Sequence, residues 1–93
     1  MPYINQENRT ELNATIDELA AIINHLGGST AGNLNYVITR LFLLTILQEV
    51  RYDNINTAYG ILEGVKQEMA RALAGPYEQQ KQYDNGQVIE GVM

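Results

Sequence analysis

The residues best placed to do chemistry lie in GILEGVKQEM, residues 60–69. Lys66 falls among apolar neighbours at helical spacing, with Tyr59 and Leu62 on the turn before and Met69 and Leu73 on the turn after. An ammonium set in an apolar stripe either reaches past it to water or takes an anionic partner. Glu63, three residues earlier, is one such partner. If Lys66 instead lines a cleft, it grips an anion. Arg40, Arg71 and Tyr59 then supply further cations and a stacking face for a nucleotide or similar ligand.

The same stretch carries Gly60 and Gly64 inside a helical pattern, where each glycine costs about 1 kcal/mol relative to alanine. On a helical projection they point away from Leu62, Val65 and Met69, so the spacing predicts a bare strip on the outer face. Such a strip is tolerated glycine, a place for another helix or the tail to come close, or a ligand's approach to backbone.

Other catalytic signatures are missing. His25 is the lone histidine, expected on the polar side of a helix in its last turn, where a cation suits the dipole. The sequence has no cysteine, which rules out a disulfide framework and a thiolate zinc site. It has no metal-ligand spacing, no phosphate-binding glycine loop and no nucleophile triad. The expectation is a non-enzyme without metal or cofactor. The net charge is −5, and Arg9, Arg40, Arg51, Lys66, Arg71 and Lys81 are scattered rather than gathered in a stripe. That argues against nucleic acid as the partner.

The elements that must hold these residues are helices. Ninety-three residues make one small domain, which buries only about 60–65% of its unfolded surface, so association would help it. Leu12, Ile16, Leu19, Ile23 and Leu26 form one amphipathic stripe and predict a helix over about 13–26. Asn5 can cap a short earlier turn, but Asn13 is the better-placed cap. Gly27-Gly28 ends the helix. Asn33 caps a second helix, about 34–50, which is apolar on two sides. Leu34, Val37, Ile38, Leu41 and Leu44 share one face, and Tyr36, Leu43, Leu47 and Val50 share the other. A helix buried on two sides needs the tail or a second subunit on one of them.

Asp53 caps a third helix, about 54–74, with Ile55, Tyr59, Leu62, Val65, Met69 and Leu73 as its core stripe, and Gly75-Pro76 ends it. The helical domain then covers 1–76. Residues 77–93 form an extended arm, with a weak hairpin about Asn85-Gly86. Tyr3 and Tyr77 are expected to anchor the terminal segments on the body. The longest apolar run, residues 41–47, is far short of the ~20 needed to span a bilayer. With no secretory leader evident, the expected location is cytoplasmic.

The segments MPYI at 1–4, LNYVITRL at 34–41, GILEGVKQE at 60–68, PYE at 76–78 and NG at 85–86 resemble a family of small, uncharacterised proteins of phages and bacteria. The resemblance touches most of the chain in the same order. It departs from the family pattern at Asn13-Ala14, where Asp-Pro is frequent, and at Gly64, where cysteine is frequent. What it implies is an all-helical fold and a phage or mobile-element setting. It brings no activity and no catalytic residues.

The fold expected is mostly α, a three-helix antiparallel bundle-like domain with a C-terminal arm. The function expected is that of a non-enzymatic phage accessory protein acting through protein–protein contacts as a homo-oligomer. Tyr36, Leu43, Leu47, Val50, Gly60 and Gly64 would form its interface. The alternative is a protein that binds or sequesters a nucleotide or other anion at Lys66, Glu63, Arg40, Tyr59 and Arg71.

Overall fold

A computed structural model describes residues 4–86, and over them the chain is all-α. Contacts divide it into two compact units, Met1–Asn54 and Ile55–Met93.

The first unit opens with α1, Gln6–His25. Its start is fixed by Asn5, whose side-chain oxygen accepts from the Asn8 N–H at 2.8 Å. The earlier of the two candidate caps is therefore the one used, and the helix runs through Asn13 without a break. Arg9 also donates back to the Ile4 carbonyl at 3.2 Å, tying down the entry. The helix ends where Leu26 turns extended while still donating to Ile22. Gly28 takes the turn at φ 85°, a conformation that explains one of the two glycines there.

Helix α2, Thr30–Leu44, is capped by Ser29, which accepts from Gly32 at 3.1 Å. Asn33 does not cap it. That residue lies inside the first turn, with its amide 3.5 Å from the Gly27 carbonyl. The helix stops well short of residue 50. At Thr45 the hydroxyl bonds back to Leu41 at 2.6 Å, and the backbone leaves the helical region. A 3₁₀ turn follows at Ile46–Gln48. Gln48 covers the Leu44 carbonyl at 2.6 Å, and Asn54 covers that of Glu49 at 2.7 Å. Polar side chains thus take one carbonyl at the end of the helix and one just past the 3₁₀ turn. Within the hairpin of α1 and α2, Ile23 is buried and Leu19 and Val37 are half-buried.

Helix α3, Tyr52–Met69, starts at the end of the first unit and runs on into the second. Asp53 lies in its first turn rather than capping it. The helix does not end at Gly75-Pro76. A π turn, Ala70–Ala74, leads into α4, Gly75–Asn85, with the Gly75 N–H donating to the Ala70 carbonyl. Proline in an α-helix clashes with the carbonyl four residues back and offers no N–H. The wider π turn moves the register by one residue at the place where Pro76 needs it. Pro76 then sits in the first turn of α4, where a missing N–H costs little.

The extended arm is therefore corrected over 77–85, which is helical. Gly86, at φ 84°, closes α4 by donating to Gln82 at 2.7 Å. The Asn85-Gly86 pair thus serves as a helix end. The other half of the proposed hairpin, together with Tyr3, lies outside the described residues.

Candidate functional site

Among the described residues only Ile23, at 8% exposure, and Ala58, at 4%, are buried apolar side chains. The stripe expected to form the core of α3 is largely open. Leu62 is 43% exposed, Val65 53%, Met69 54% and Leu73 64%. Ile55, the first residue of that stripe, is half-buried, as are Asn54, Gly64 and Glu68. Gly60 is exposed and Gly64 half-buried, and a Cβ added at either would meet open space. The projection gave the period of the stripe correctly. It could not say which face finds cover within one chain.

That open stripe is a groove of about 820 Å³, wholly within the second unit. Leu62, Val65, Lys66, Met69, Leu73 and Tyr77 line it, with Ala70 and Ala74 between them. From Leu62 through Lys66, Met69 and Leu73 to Tyr77 the steps are four, three, four and four residues. They average more than 3.6, so a plain α-helix would carry Tyr77 round and away from Leu62. The π turn takes up that drift and keeps the stripe straight. Sequence reading missed Ala70, Ala74 and Tyr77 as members. The four-residue step from Leu73 to Tyr77 is the signal for them, once Gly-Pro is read as a helix start.

The expected anion site is only partly gathered. Lys66 lines the groove, and among the described residues it has no ion-pair or hydrogen-bond partner. Glu63 does not pair with it and instead accepts from the Gln67 amide at 3.4 Å. Arg71 is held by Glu68 at 2.6 Å. Glu68 is not the ordinary solvated charge its type suggests. It is half-buried, and its second carboxylate oxygen has no hydrogen-bond partner among the described residues. Tyr59 is 65% exposed on α3. Arg40 stands on α2 in the first unit. Tyr77 carries a cation of its own, with the Lys81 ammonium 5.6 Å from its ring centre.

The expected interface residues of the first unit are mostly open. Tyr36 is 66% exposed, Leu43 45% and Val50 71%, while Leu47 is half-buried in the 3₁₀ turn. A smaller cleft of about 230 Å³ lies between α1 and α2, walled by Ile16, Ile23, Leu34 and Val37. His25 is exposed at the end of α1. No cluster of three or more metal-ligating side chains occurs among the described residues, and no helix there is long and apolar enough to cross a membrane.

An apolar strip along one helix can pack against another helix but cannot enclose a small molecule. Lys66 is the one charged residue that lines it, and the rest of the lining is apolar apart from the Tyr77 hydroxyl. Comparison with curated proteins finds no match, and comparison with solved structures finds none either. Residues 1–88 match the model of a family described as Domain of unknown function (DUF6899). The chain belongs to that family.

Proposed function

We propose that this member of an uncharacterised family is a non-enzymatic accessory protein that works by protein–protein contact. Its own chain contributes the helices, and a partner contributes the missing half of the packing. The phage or mobile-element setting and a cytoplasmic place of action rest on the resemblance of its segments and belong to the same proposal.

One observation carries the reading. Leu62, Val65, Met69 and Leu73 stand at helical spacing, yet they are 43–64% exposed. Burying an apolar side chain of this size stabilises by about 1.5–3 kcal/mol, so a stripe left open is a strong incentive to associate. Contiguous apolar surface of this kind marks interaction sites in ordinary proteins. The test is the mass of the full chain by light scattering over a range of concentrations, together with capture of partners from the cells that contain it. Self-association, or a stoichiometric complex lost on Met69→Glu, is expected. A chain that stays monomeric and retains nothing overturns the reading.

Anion binding is the second reading, favoured by Lys66, which lines the groove with no ion-pair partner among the described residues. It requires a ligand that raises the melting temperature with its own concentration, and Lys66→Ala must abolish that rise. The groove's apolar length suits it less well, since nothing beside Lys66 is set to receive a phosphate.

A further inference from the structure

We infer that the occupant of the groove is a second copy of the same groove, packed antiparallel about a two-fold axis between Met69 and Ala70. This rests on the interaction reading above and names its partner.

The lining residues carry the inference by their order. Run a second copy antiparallel with its Met69 opposite Ala70. Leu62 then faces the other copy's Tyr77, Val65 faces its Ala74, and Lys66 faces its Leu73. Every residue that lines the groove meets another that lines it, with none left over. A two-fold interface must be self-complementary in this way. The pairs also alternate in size. Met69 opposes an alanine and Val65 opposes an alanine, which lets the side chains interdigitate rather than collide.

The dimensions agree. From Leu62 to Tyr77 the strip is about 23 Å long at 1.5 Å per residue. Even at the roughly 150–250 Å² of a large aromatic side chain, the exposed fractions of Leu62, Val65, Met69, Leu73 and Tyr77 give at most about 420–700 Å² per chain. Two copies bury at most about 840–1,400 Å², a range that reaches the low end for specific protein–protein interfaces.

The π turn has a function in this arrangement, because it keeps Tyr77 in line with Leu62 and so makes the two ends of the strip match. Lys66 lays its stem beside Leu73 of the other copy and carries its ammonium to water. In this arrangement the lysine limits affinity and does not supply it.

Cysteine cross-linking of the full chain tests the register, since the natural sequence has no cysteine. Met69→Cys lies beside the axis and should oxidise to a covalent dimer. Val65→Cys alone should not, because its counterpart in the other copy is about 13 Å away along the helix, beyond disulfide reach. Val65→Cys with Ala74→Cys should cross-link. Leu73→Glu should leave the helical spectrum unchanged, the site being exposed, while abolishing the dimer by light scattering. Lys66→Met should hold the dimer or tighten it.

Cross-linking of Val65→Cys alone as readily as Met69→Cys indicates a parallel pair and overturns the inference. So does a dimer by mass that none of these cysteines traps, although the interaction reading then stands. A wild-type chain that stays monomeric also overturns the inference, and the capture experiment then decides the fate of the broader reading on its own.

Discussion

At the scale of single residues, Lys66 and the glycines before it separate the rival accounts of GILEGVKQEM. Lys66 stands where its spacing put it, in the apolar stripe, and no carboxylate of the described chain meets it. The stripe is an outer groove, so the lysine's stem can lie along it while its head reaches water. Gly60 and Gly64 have open space where a Cβ would go. Gly60→Ala and Gly64→Ala should therefore each stabilise the chain by about 0.8–1 kcal/mol, the ordinary helix-interior gain, read as a shift in the urea midpoint. A loss of stability in either variant would show that something approaches that backbone closely. Asn5 gives the opposite sign. Its side chain holds the first turn of α1, and Asn5→Ala should cost about 1 kcal/mol, with Asn5→Asp as the control that keeps the cap.

At the scale of elements, helix existence and period were legible in the sequence, while starts, ends and facing were less so. The α1 stripe and the glycine turn after it follow from spacing of four and three residues. The start did not, because Asn5 and Asn13 are both good caps and local chemistry does not rank them. The end of α2 at Thr45 was hidden because an apolar run continues through Leu47. A hydroxyl that bonds back one turn is too weak a sequence signal to outweigh that run. Gly75-Pro76 was the largest misreading. The pair ends helices more often than it joins them, and here a π turn lets the chain pass through. Gly75 is closely held, since a Cβ there would lie 3.2 Å from the Ala70 carbonyl. Pro76→Ala removes the ring that the π turn accommodates. The turn should then relax toward α and swing Tyr77 out of line with Leu62. Far-ultraviolet circular dichroism should show helix content kept or raised, while self-association weakens by about tenfold, or 1.4 kcal/mol. Unchanged association would mean that the stripe does not need the π turn.

At the scale of the molecule, the candidate site was half legible. Spacing identified Leu62, Val65, Lys66, Met69 and Leu73 as one stripe, but it could not tell core from open surface. That depends on what else the chain has available to lie against them. A small chain has little, and this one leaves apolar side chains uncovered in both of its units. The central claim is that the groove of the second unit is closed by another copy. Hydrogen exchange by mass spectrometry on the full chain, compared at low and high protein concentration, tests it most directly. Amides across residues 62–77, Pro76 aside, should exchange at least tenfold more slowly in the concentrated sample, and Leu73→Glu should erase that gain. Exchange across 62–77 that is the same at every concentration would contradict the claim.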